Sequence, residues 1–225
     1  MDSVDLKPDP EDLTARARIR DAALRHFGEY GFEGATTRGI AETAGVSRGL
    51  LRHHFGTKQA LREACDEHLV KLIGRINEQA RSSAPTSGMN SIAVATAALG
   101  PYQQYLARAL TEGWAEPVFD AMVQMSEQWL AELDERRPDP PFADRTARAT
   151  VGTAMALAVS ILHKHVSRGL GVDLHSPEGA HRLALTVLDI YSHPWIDPEE
   201  AAVYRDALEK SRPQQTAPSE ERTDE

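Results

Sequence analysis

Arg48, Arg52 and His53 follow Ser47 closely enough to share one short helix, and Thr36, Thr37 and Arg38 stand a little upstream. Guanidinium, imidazole and hydroxyl donors grouped in this way suit phosphate oxygens and the edges of bases. They need a rigid mount, and the intervening residues describe one. Two short helices crossing steeply require a small residue where their backbones meet, which Ala41 supplies, and a bend tolerant of positive φ, which Gly45 supplies. Ile40, Ala44, Val46 and Leu51 fall at the spacing that a three-helix core buries. Thr36 or Thr37 can cap the first helix and Ser47 the second. The second helix then turns Arg48, Gly49, Leu50, Arg52 and His53 outward.

The chain of 225 residues carries a net charge of −9, which at first argues against a nucleic-acid partner. Between Thr14 and Ala64, however, nine Arg or Lys face five Asp or Glu, a local +4, so the remainder holds −13. A basic block on an acidic body fits a phosphate-binding module whose other half stays off the nucleic acid.

Other chemistries find little support. Phosphate-cradling glycine loops and His-Glu-x-x-His are missing, so an enzyme is not expected. Cys65 stands alone and reads as a buried thiol rather than a redox sensor. Cys65-x-x-His68 and His163-x-His165 lack the further ligands that a closed metal site needs, so neither a metal nor a cofactor is expected. No stretch reads as a membrane span and MDSVDLKPDPED does not read as a signal peptide, so a cytoplasmic protein without membrane association is expected.

The elements that must position these groups are all helical. Ile19, Ala22, Ala23, Phe27 and Tyr30 recur at three- and four-residue steps up to Gly31. Leu61, Ala64, Cys65, His68, Leu69, Leu72 and Ile76 continue the pattern after Thr57, and Ser82 to Gly88 reads as a loop. Pro101 can open a helix with Tyr102, Tyr105, Leu106 and Leu110; Val118, Met122, Met125, Trp129 and Leu133 form another stripe. A long buried helix is expected from about Phe142 to Arg168, and Ser176-Pro177-Glu178 and Asp197-Pro198-Glu199-Glu200 each signal a helix start. The expected fold is all-α: a disordered arm over 1–12, a three-helix DNA-binding domain over 13–60, a larger helical domain over 61–210, and a disordered tail over 211–225.

The stretch from Arg16 to Cys65 resembles the helix-turn-helix DNA-binding domain of the tetracycline-repressor (TetR) family. The resemblance rests on Phe-x-x-x-Gly, the Thr-Thr pair, Ile-Ala-x-x-Ala-Gly-Val-Ser, Gly-x-Leu, His-Phe, and Lys with Leu three later. It implies a transcriptional regulator, commonly a repressor, that binds a palindromic operator in double-stranded DNA as a homodimer and is released by a small-molecule effector. Carried over by position, Thr36, Thr37 and Arg38 lie near a phosphate; Ser47, Arg48, Gly49 and Leu50 open the recognition helix; His53 and Lys58 approach the DNA backbone. Arg52 stands where the family usually has Tyr, and either a phosphate or a guanine edge suits it. His54 is assigned to the helix junction.

The resemblance also implies a helical body that dimerises and encloses a largely apolar effector. Candidate lining residues are Tyr102, Tyr105, Trp114, Phe119, Met122, Met125, Trp129 and Met155, with His163 as the polar contact. The helices around 142–168 and 176–193 carry more apolar surface than a monomer needs; two from each subunit suit a four-helix interface, against packing within one subunit's core. The competing function is a helical interaction or small-molecule-binding protein without DNA binding.

Overall fold

The computed structural model describes residues 14–82, 100–193 and 195–212. The expected arm, most of the expected tail, and the loop after Ser82 lie outside them. Among the described residues the regular elements are ten α-helices and one 3-10 turn, with no strand. They are α1 (Ala15–Gly34), α2 (Thr37–Ala44), α3 (Arg48–Phe55), α4 (Lys58–Ser82), α5 (Gln103–Thr111), α6 (Glu116–Asp134), α7 (Arg145–Ile161), α8 (His163–Leu170), α9 (Pro177–Ser192) and α10 (Pro198–Lys210). The 3-10 turn, Gly100–Tyr102, leads into α5. No described helix is long and apolar enough to cross a membrane.

Residues up to Leu183 form one unit and those from Ala184 a second. The first is built around α1, whose buried Ile19, Ala22, Ala23 and Phe27 are the apolar stripe expected from the sequence. Tyr30, assigned to the same stripe, is instead 51% exposed. Gly31 adopts φ 74° and kinks α1, but the chain winds on to Gly34 before it ends. One core joins α1–α4 to α5 and α6: Leu61, Cys65 and Leu69 meet Phe27, Tyr105, Leu106 and Val118. Burying such a side chain contributes about 1.5–3 kcal/mol, so α1–α4 do not have their stability to themselves.

Gly28 brings α1 and α5 into backbone contact. A Cβ built there would stand 2.8 Å from the Tyr105 amide nitrogen and 3.1 Å from the Gln104 carbonyl carbon. Arg108 of α5 then donates to the carbonyls of Gly28 (3.1 Å) and Glu29 (3.4 Å).

The helix expected over 142–168 differs in two respects. Asp144 caps it through the Ala147 amide (2.8 Å), and it breaks at Leu162, whose ψ of 18° ends α7 before α8 begins. Nor is it buried all round: Ala149, Thr153 and Leu157 face inward, while Val151 and Met155 are 59% and 64% exposed. Apolar composition alone cannot tell a helix sunk in its own core from one with a face left for a partner. The α6–α7 seam is polar at one end, where Asp134 takes a two-pronged pair from Arg148 (2.9 and 2.6 Å), and at its middle, where Ser126 meets Thr153 (2.8 Å).

The second unit holds the end of α9 and all of α10. Asp197 caps α10 by accepting from the Glu199 and Glu200 amides. Leu185, Leu188 and Tyr191 of α9 and Val203, Tyr204 and Leu208 of α10 are exposed.

Candidate nucleic-acid interface

The bend between α2 and α3 is made as its residues require. Thr36, not Thr37, caps α2, its hydroxyl accepting from the Gly39 amide at 3.1 Å. Gly45 ends α2 at φ 66°, and its amide reaches back to the carbonyls of Ala41 and Glu42. Ser47 caps α3 by accepting from the Leu50 amide at 3.1 Å. Ile40, Ala41, Ala44 and Leu51 are buried, and Val46 is half-buried against them. Short helices are marginal alone, so these caps and anchors hold α3 in place.

Leu51 and Phe55 face the core, which leaves Arg48, Gly49, Leu50, Arg52 and His53 exposed on the other side of α3. Ser47 is exposed beside them, and His54 is half-buried with its ring 6.4 Å from that of Phe55. A Cβ on Gly49 would meet only its neighbour Ser47, at 3.7 Å. Nothing among the described residues demands glycine there, although glycine weakens a helix by about 1 kcal/mol.

Around α3 the other candidates are placed differently. Arg38 is exposed and pairs with Glu42 at 2.8 Å one turn later on α2, while Thr37 is half-buried at the start of that helix. Glu42 raises the Arg38 pKa, chiefly through that hydrogen bond. Lys58 is turned inward: its ammonium donates to the carbonyls of Phe32 (2.7 Å), Ala35 (3.2 Å) and Glu33 (3.5 Å) and lies 4.5 Å from the centroid of the Phe32 ring. A cation on the carbonyl end of a helix is stabilising, so Lys58 locks α4 to the end of α1.

Sequence reasoning missed the polar joint behind the interface. Asp66 sits inside the apolar stripe of α4, only 3% exposed, and accepts from the Tyr105 hydroxyl at 2.6 Å. Arg62 reaches Asp66 at 3.4 Å and also donates to the Trp114 carbonyl. Burial raises the Asp66 pKa, and the Tyr105 and Arg62 bonds oppose that rise. A carboxylate at a stripe position was the available signal, since such a group is buried only with partners.

Among the described residues the candidate effector residues are spread between the core and the surface. Tyr105 is fully buried in the core; Tyr102, Trp114, Met122 and Met125 pack against it. Phe119 is half-buried, and Trp129 donates from its indole to Asn77 at 3.0 Å. Met155 lies on the exposed face of α7, and His163 bonds the Ser160 carbonyl with its ring 5.1 Å from that of His175. An open cleft of about 430 Å³ is lined by other residues, among them Leu130, Leu133, Arg136 and Pro138.

Comparison with known proteins agrees with this geometry. The family model described as "Bacterial regulatory proteins, tetR family" matches residues 19–65, which span α2, α3 and their supports. The HTH-type transcriptional regulatory protein RaaS of Mycobacterium tuberculosis is 35% identical over 191 residues, covering 80% of this chain and 86% of that protein. The HTH-type transcriptional regulator BetI of Burkholderia ambifaria is 30% identical over 112 residues, 48% of this chain and 58% of BetI. Among solved structures, the fatty acid degradation regulator FadR of Bacillus halodurans superposes with a TM-score of 0.57 at 20% identity, covering 80% of this chain and 96% of its own. FadR from Bacillus subtilis in complex with stearoyl-CoA gives the same TM-score at 16% identity, covering 77% and 96%. With a DNA-binding helix pair, an all-helical body and a relative matched along most of both chains, this protein belongs to the TetR family of transcriptional regulators.

Proposed function

We propose that this regulator binds a two-fold symmetric operator as a homodimer, represses from it, and is released when a largely apolar small molecule binds the helical body. The observation that carries the reading is the outer face of α3, where Arg48, Arg52 and His53 stand exposed around a glycine that the fold itself does not require. Arg48 reads base edges, the approach at Gly49 sets the depth of the helix in the major groove, and Arg52 and His53 hold phosphates. Thr36, Thr37 and Arg38 meet the neighbouring phosphate, Arg38 exchanging Glu42 for it. Lys58 acts through the α1–α4 junction that it locks.

Dimerisation through α7 and α9 is supported by the large apolar side chains that each leaves uncovered, Val151 and Met155 on one and Leu185, Leu188 and Tyr191 on the other. Effector control is supported by the shared core, since α6 packs Met125 against it and ties Trp129 to Asn77 of α4, on the same framework that braces α3. A fold neighbour was solved in complex with stearoyl-CoA, so this fold is compatible with a ligand that carries a long apolar chain. A ligand favouring a body shape that misplaces α3 weakens DNA binding by the same coupling free energy that DNA exerts on the ligand.

Selection of duplexes from a randomised pool by the whole chain tests the reading. A two-fold symmetric consensus with half-sites about one helical turn apart is expected. An asymmetric site, or no enrichment, rejects it.

A further inference from the structure

Among the exposed residues of α3, Leu50 is the only large apolar side chain, 36% exposed and outside the core that Leu51 and Phe55 join. Successive residues of a helix turn by about 100°. Leu51 and Phe55 point inward, so Gly49, Leu50 and His53 take the side that faces away from the core. Arg48 and Arg52, one turn apart, run along one edge of that side, and Leu50 stands at the other. Its backbone is fixed, because the Leu50 amide donates to the Ser47 hydroxyl at 3.1 Å and the adjoining Leu51 is 2% exposed. Gly49 beside it has no side chain to stand in front of it. A lone surface leucine needs no explanation, but this one is set among cationic donors on the face that meets DNA.

We infer that Leu50 determines specificity by packing on the C5 methyl of a thymine in each half-site. That methyl is the apolar group that the bases present in the major groove. Pressed on any other base edge, leucine would leave a donor or acceptor unpaired, which is costly. Cytosine, which lacks the methyl and carries an N4 donor, is therefore rejected at this position. A T·A pair is told from A·T as well, because the methyl belongs to one strand. This role rests on the DNA-binding reading proposed above, and it adds to that reading a base that arginine does not select.

The test is fluorescence anisotropy of the full chain on the duplex that it selects from a randomised pool, with deoxyuridine replacing each symmetry-related pair of thymines in turn. Uracil keeps the base-pairing groups of thymine and loses only the methyl. At one such pair binding should weaken about fifteenfold, from about fourfold for each buried methyl. Leu50→Ala should bind the thymine and uracil duplexes alike; the position is exposed and alanine favours a helix, so the fold is retained. Leu50→Met, apolar and of similar size, should keep the uracil penalty. A parent chain that binds no duplex defeats the DNA-binding reading and this role with it. A parent chain that binds DNA with no uracil penalty at any thymine, or selects a consensus without thymine, leaves that reading standing and overturns the inference. The same penalty in Leu50→Ala as in the parent overturns it too.

Discussion

Replacing Gly28 by alanine probes the joint between the DNA-binding helices and the body. In isolation the change favours a helix, since alanine is about 1 kcal/mol better than glycine, and a buried methyl adds about 0.8 kcal/mol. Against this, the new Cβ would stand 2.8 Å from the Tyr105 nitrogen and 3.1 Å from both the Gln104 carbonyl carbon and its Cβ. Ordinary contact begins near 3.4 Å. Backbone forms part of that wall, so α1 and α5 must part by roughly half an ångström along the row of contacts. Parting them stretches the Arg108 bonds to Gly28 and Glu29 and loosens Phe27 against Tyr105. Overpacking of this kind costs about 1–3 kcal/mol, and the lost bonds about 0.5–1.5 kcal/mol each. The net expectation is a loss of about 1–2 kcal/mol, or about 2–8 °C in Tm for a chain of this size. Differential scanning calorimetry reads it directly. An unchanged or raised Tm in Gly28→Ala would refute the close approach of α1 and α5 as the joint.

Four further outcomes follow from the same contacts. Gly49→Ala should raise the Tm slightly, by up to about 1 kcal/mol of helix stability, while weakening DNA binding at least tenfold in a gel shift; equal affinity would remove the argument from that glycine. Tyr105→Phe leaves Asp66 buried without its 2.6 Å donor and should cost about 1–3 kcal/mol by denaturant unfolding, and no loss would show the bond to be idle. Lys58→Ala should lower the Tm where Arg48→Ala does not, because only Lys58 holds α1 carbonyls; equal Tm values in the two variants would contradict that division. Asp134 should contribute stability that acid removes. Arg148 holds its pKa below the ordinary 3.8, so its contribution is present above that value and lost as pH falls through the lower folded pKa. Arg148→Gln should therefore flatten the acid end of the Tm profile, and an unaltered profile would discount the pair. Asp66 has the opposite sign, since burial raises its pKa and protonation relieves the folded state.

The sequence was most informative where a feature is local. Thr36, Gly45 and Ser47 act within four residues of themselves, and each sits where its chemistry demands. The apolar stripes of α1 and α4 were legible because one helix face buries at a fixed period. The joint was not, because Asp66–Tyr105 and Arg108–Gly28 link residues that meet only after α5 docks. The family resemblance set Lys58 near the DNA backbone, whereas its partners here are carbonyls at the end of another helix. The exposed side of α7 is a further case, since composition marks its residues as apolar but only the fold shows which of them the chain leaves uncovered.

The central claim is that the outer face of α3 binds DNA, and a salt titration of affinity measures it most directly. Fluorescence anisotropy of a selected duplex should give an affinity that falls steeply and log-linearly as salt rises, the mark of released phosphate counterions. In the same titration Arg48→Ala should lose about 1–3 kcal/mol on that duplex and relax preference at one base pair in each half-site. An affinity insensitive to salt, or an Arg48→Ala chain that binds every duplex as the parent does, would contradict the account.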